Sequence, residues 1–218
     1  MKKLIITLFA FATLIVSCSK ESITGSGNTI TETRTVPYFN KVQLNGSRNV
    51  TIIYAPNQLV AVEGYENLVP LYETYVSNQT LYLEFDDQVN RVKNNNINIK
   101  IEMPAIEGLT INGSGKGSIN GNFQTQNILD LFVNGSGNIS TGNFQLNNLI
   151  ARVNGSGDIR TNALANNADV KVTGSGSISL VSLNDLKAVV DGSGKIEYAG
   201  NPLNVQTHIS GSGRIIRR

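Results

Sequence analysis

Cysteine is almost absent from this chain. Cys18 is the only one in 218 residues, so no internal disulfide can form. Tryptophan is missing and His208 is the only histidine, which removes the clustered His and Cys ligands that zinc requires. Charge of one sign is also lacking. Eighteen Lys and Arg face 16 Asp and Glu, and no basic block is longer than the final Arg217-Arg218. Nucleic-acid binding draws on a positive field that displaces counterions, and nothing here supplies one. A long apolar run occurs only at the start, and no stretch of the repeated C-terminal half has helical character. The many Asn and the 21 Gly weaken any helical reading further.

That apolar start has the form of an export signal. Met1-Lys2-Lys3 is a basic opening, and residues 4–16 are an apolar stretch too short to span a bilayer unaided. Ser17 then precedes Cys18. The run Ile15-Val16-Ser17-Cys18 resembles a bacterial lipobox, which implies diacylglyceryl transfer to the Cys18 sulfur, cleavage before it and acylation of the new amino group. Residues 1–17 are thus expected to be a lipoprotein signal peptide and residues 18–24 a short anchor linker. Two or three acyl chains hold a protein firmly in a bilayer, because each buried CH₂ contributes about 0.8 kcal/mol. Without Lys2 and Lys3 the formal charge of the mature chain is zero.

What the chain has in abundance is a repeat. Gly-Ser-Gly begins at Gly113, Gly135, Gly155, Gly174, Gly192 and Gly211. Two places before each stand Ile111, Val133, Val153, Val172, Val190 and Ile209, all β-branched. Four places before stand Leu109, Leu131, Ala151, Val170, Ala188 and Thr207. The residues between are mixed and include Arg152 and Lys171. Two places after the motif come Ile139, Ile159, Ile178, Ile196 and Ile215. Such period-two alternation marks strands with one buried face. In the first unit Lys116 and Gly117 read as two extra residues that delay the equivalent position to Ile119. Phe123, Phe144, Leu164, Leu183 and Leu203 fall at similar later offsets.

Strands and turns with a period near 19 residues describe a parallel β-solenoid, in which no coil buries its apolar column alone. The preference for right-handed crossovers makes it a right-handed parallel β-helix. The Gly-Ser-Gly is then a corner. Ahead of it stand Asn112, Asn134, Asn154, Thr173, Asp191 and Ser210, expected to form a hydrogen-bonded ladder. The corner Ser residues are expected to form another, with each other or with the turn backbone.

Residues 109–218 carry the repeat, and residues 25–108 form a β-rich head that covers its first open edge. The stretch "VQLNGSRNVTI" (residues 42–52) fits the corner template with Arg48 in place of the last Gly. "LVAVEG" (59–64), "TLYLEF" (80–85) and "INIKIEMP" (97–104) alternate as strands. A helical turn is expected before Pro70, and residues 86–96 read as a loop.

The order of motifs resembles one family. The lipobox, "GSGNTITETRTVPYFNKVQLNGS", "VEGYENLVPLYETYVSNQTLYLEF" and "INIKIEMPAIEGLTINGSGKGSI" are similar to the putative auto-transporter adhesin, head GIN domain family, over residues 25–218. The resemblance implies a right-handed β-helix on a secreted or lipid-anchored protein of diderm bacteria. It brings no catalytic residues and no cofactor.

Other chemistry fits poorly. "GSGKGS" (113–118) lacks the Ser or Thr after Lys and the following helix of a P-loop. Asp158 and Glu197 are the carboxylates to consider for a glycosidase, although no acidic cluster recurs on one wall. Two functions follow. One is a non-catalytic, lipid-anchored envelope protein, adhesin-like, that displays a stiff surface. The alternative is a carbohydrate-binding module or polysaccharide-active enzyme. Tyr54, Tyr65, Tyr72, Tyr75 and Tyr82 are the candidate contacts, because aromatic faces stack on sugars and anchor interfaces. The partners expected are the bilayer, through acylated Cys18, and a cell-surface glycan or envelope protein. The expected location is the outer membrane.

Overall fold

The computed structural model describes residues 21–218. Cys18 and the signal segment lie outside the described residues. In chain order the strands are β1 (Glu21–Thr24), β2 (Thr29–Arg34), β3 (Lys41–Gly46), β4 (Asn49–Tyr54), β5 (Leu59–Tyr65), β6 (Tyr72–Ser77) and β7 (Thr80–Phe85). There follow β8 (Val89–Lys93), β9 (Asn98–Met103), β10 (Gly108–Gly113), β11 (Lys116–Asn120), β12 (Gln126–Gly135) and β13 (Asn138–Thr141). The last are β14 (Gln145–Gly155), β15 (Asp158–Gly174), β16 (Ser177–Gly192), β17 (Lys195–Ala199), β18 (Asn204–Ser210) and β19 (Arg214–Arg217).

From β10 onward each coil lies parallel on the one before, in register through its corner. Val133 pairs with Val153, Val153 with Val172 and Val172 with Val190. All four are fully buried. Each such side chain contributes about 1.5–3 kcal/mol relative to exposure, and a single coil could not bury it alone. The β-solenoid is therefore held by columns of like residues, with polar side chains outside.

The Gly-Ser-Gly corner is fastened to the coil below by its own backbone. The Ser156 and Gly157 N–H groups both donate to the Gly135 carbonyl, at 2.9 and 3.0 Å, and the Asp158 N–H donates to the Gly137 carbonyl at 3.0 Å. Donors held this way cannot cradle a phosphate, and the Lys116 N–H behaves alike, donating to the Arg48 carbonyl at 2.9 Å. The corner Ser hydroxyls point to solvent and form no ladder among the described residues.

Stack order departs from chain order in the head. The coil made of β3 and β4 lies between the β10–β11 coil and β7 with β9, both of which run parallel to it. Antiparallel β6 covers β7, antiparallel β5 covers β9, and β2 covers β5. Reversal of direction ends the solenoid and buries Leu68, Val69 and Tyr72 beneath the cap. Arg34 ties the cap down by donating to the Val69 carbonyl at 2.7 Å.

Several expectations are corrected. Gly117 is no insertion. It occupies the inward slot itself, paired with Val50 on one side and Ile139 on the other. Leu109 Cδ2 would lie 2.7 Å from a Cβ there, so the neighbours fill the space. The turn expected before Pro70 is a 3₁₀ turn, Val69–Leu71, that contains it, since Pro tolerates a first turn. Within the expected loop 86–96, β8 pairs in parallel with β1. Residues Glu21–Thr24 of the expected linker are thus a strand. The Phe123 and Phe144 column is buried, but Leu183 and Leu203 are exposed, because Leu164 pairs with Val181 and shifts the register.

Candidate functional site

The outer wall carries ladders of amide side chains, and two of them frame the candidate site. In the first, Asn154 Nδ2 donates to Asn134 Oδ1 at 2.9 Å, Asn134 to Asn112 at 2.9 Å and Asn112 to Asn45 at 2.8 Å. Asn45 then donates to Glu84 Oε2 at 2.5 Å. Every amide points the same way, so their dipoles reinforce each other and the chain ends on a carboxylate.

Glu84 also joins this ladder to the aromatic surface. Its Oε1 accepts the Tyr75 hydroxyl at 2.6 Å, and the Tyr75 and Tyr82 rings stack with centroids 5.1 Å apart and 6° between planes. The bond to Glu84 pushes the Tyr75 phenol up to about 12. Of the five tyrosines expected as contacts, this pair stands on the outer wall of β6 and β7. Tyr54 packs edge-on against Phe123, centroids 5.6 Å apart, and Tyr65 leans on the core. Tyr72 is buried against Phe85, which removes it from any exposed surface. Its hydroxyl has no hydrogen-bond partner among the described residues, and burial raises its pKa.

The second ladder escapes sequence reading, because its residues do not border the corner motif. Asn148, Asn167, Asp185 and Asn204 share one register position on successive coils. Asn167 Nδ2 donates to Asn148 Oδ1 at 3.2 Å and Asn204 Nδ2 to Asp185 Oδ1 at 2.7 Å. Beside them runs a groove of about 460 Å³ across these coils. Its other flank carries Ile150, Asp169, Lys187 and Gln206. Asp169 pairs with Arg152 at 2.9 Å and Lys187 at 3.6 Å.

The two carboxylates considered for glycoside cleavage are each held by a cation. Asp158 pairs with Arg160 at 3.0 Å and accepts from Ser177 at 2.5 Å. Glu197 pairs with Lys195 at 2.8 Å and also with Arg218. The hydrogen bond from Lys195 lowers the Glu197 pKa, the opposite of what a general acid needs. His208 is exposed on β18. Among the described residues no group of His, Cys, Asp or Glu is placed to hold a metal ion. No helix of the described residues is long and apolar enough to cross a membrane.

Comparison with known proteins matches residues 38–216 to the family model "Putative auto-transporter adhesin, head GIN domain". Solved structures share the fold. A "putative adhesin" from Bacteroides fragilis is 23% identical, with 89% of this chain and 99% of that one covered and a TM-score of 0.69. A "putative lipid binding protein" from Parabacteroides distasonis is 21% identical, covers 91% and 100%, and has a TM-score of 0.70. A "putative adhesin" from Parabacteroides merdae is 19% identical, covers 90% and 99%, and has a TM-score of 0.61. No curated protein matches.

Proposed function

Because the chain belongs to the putative auto-transporter adhesin, head GIN domain family, we propose that it is a non-catalytic, adhesin-like envelope protein, lipid-anchored through Cys18. Its solenoid serves as a stiff surface for display. The observation that carries this reading is the continuous stack of parallel coils from β3 to β19, in register at their corners, with side-chain ladders along its outer wall. A wall of repeated polar side chains offers many weak contacts in a fixed array, and multivalent attachment gains from such fixed spacing. The paired states of Asp158 and Glu197 favour this reading over a polysaccharide-cleaving one.

In this reading the bilayer contact belongs to acylated Cys18, and the solenoid stands off the outer membrane. Metabolic labelling with a fatty acid, followed by fractionation, tests it. The intact chain should carry label and sediment with the outer membrane, and Cys18→Ala should lose both. An unlabelled intact chain, or a labelled C18A variant, overturns the anchor. Adhesion of cells to host or bacterial surfaces, compared with and without the protein, tests the display role. Equal adhesion overturns it.

A further inference from the structure

The groove beside the second ladder has a period. Asn148, Asn167, Asp185 and Asn204 each stand one coil above the last, so polar groups recur every ~4.8 Å along it. An Asn amide has two N–H donors and an oxygen with two lone pairs. The ladder bonds use one N–H of Asn167 and one of Asn204. A second N–H on each, and Oδ2 of Asp185, remain without a partner among the described residues and are available to the groove.

The groove also has an apolar end and no net charge. Ile128 and Ile150 face outward there and are half-buried. Asp169, Asp185, Lys187 and the adjoining Arg152 balance in charge, and Asp169 is neutralised by both cations. A polyanion would gain nothing from such a site. A linear neutral polymer with one hydroxyl-rich unit per strand spacing would meet a polar side chain at every coil, an amide or the Asp185 carboxylate, and hydroxyls can both donate and accept.

We propose that this groove binds an extended, neutral, β-linked hexose chain lying along the solenoid axis. Each sugar advances by about one coil, its hydroxyls bridge the free amide N–H groups and the Asp185 carboxylate, and its C–H faces rest on Ile128 and Ile150. The inference rests on the display reading and names the ligand class of that surface.

Calorimetric titration of the purified full chain with cello-oligosaccharides of two, four and six units tests it. Affinity should rise at least tenfold from two to four units and change little from four to six. N167A and N204A should each weaken cellohexaose at least fivefold. The length dependence is read on the unaltered protein, so it stands whether or not a variant folds. No binding of any length overturns the proposal, as does affinity independent of length or unaffected by either groove variant. If cellohexaose fails while fatty-acid labelling and adhesion succeed, only the ligand falls. If binding succeeds while adhesion fails, the display role falls.

Discussion

A Cβ added to Gly137 would lie 2.9 Å from the carbonyl oxygen of Gly115, one coil below. The third residue of each stacked corner points at the corner beneath it, and only Gly leaves room. Arg48 marks the exception. The coil beneath it turns through the long segment with β8 and has no Gly-Ser-Gly, so Arg48 reaches down and donates to the Asn95 carbonyl at 2.8 Å. The third Gly is a consequence of stacking, not of turning.

The first Gly of the corner separates the same two causes. Gly46 has φ +108° and nothing within 4 Å of an added Cβ, whereas Gly113 has φ +123° and meets the Gly46 carbonyl oxygen at 2.5 Å. Gly46→Ala should cost the backbone strain alone, about 1–3 kcal/mol. Gly113→Ala should cost a further ~1–3 kcal/mol of overpacking. Urea unfolding of both variants measures the difference, and equal losses would refute a steric role for the coil below.

The first amide ladder ends on a carboxylate, which fixes how Asn45→Asp should behave. The new carboxylate would face Glu84 in place of a donor, and two close carboxylates cannot both ionise freely. The folded-state pKa of the pair is raised above its unfolded value. Stability is then retained at acid pH and lost as pH rises through that raised value. Thermal melts from pH 3 to 8 should show N45D nearest to the parent at the acid end. A deficit that grows toward acid would contradict the Asn45–Glu84 bond.

Tyr75 gives a second pH effect. Its phenol is raised from an ordinary value near 10 to about 12. The bond to Glu84 therefore contributes fully below about pH 10 and is lost as pH rises through about 12. The difference in phenolate absorbance between the parent and Tyr75→Phe should titrate near 12. A midpoint near 10 would mean the bond does not form in solution.

Tyr72 should separate ring from hydroxyl. Its hydroxyl is buried with no partner among the described residues, so Tyr72→Phe removes an uncompensated polar group and should be neutral or stabilising. Tyr72→Ala should cost about 3–5 kcal/mol by emptying the space under the cap. Chemical denaturation distinguishes them, and a loss above ~1 kcal/mol in Y72F would point to an unseen partner.

The solenoid half was legible because its pairing is local in a repeated sense. Val133, Val153 and Val172 recur at nearly one spacing, and their column could be read without knowing any contact. Gly117 was misread because its neighbours, not its own side chain, fill its slot. The head was only partly legible. The pairing of β3 with β7 and with β10 joins segments far apart in sequence, and alternation within a strand does not name its partner. Burial of Tyr72 follows from that same cap, so its residue type alone pointed the wrong way. The second ladder was hidden because its column is not of one residue type: Ile128, Asn148, Asn167, Asp185 and Asn204 all stand seven places before a corner Gly, well away from the motif itself.

In-register stacking is tested most directly by disulfide trapping in a Cys18→Ser background. Asn134 and Asn154 are paired on adjacent parallel strands, which places their Cα atoms about 4.8 Å apart, within disulfide reach. Asn134 and Thr173 are two coils apart, beyond that reach. Oxidation should cross-link N134C with N154C in high yield within one chain and leave N134C with T173C free. A cross-link in the second pair and none in the first would contradict the stack.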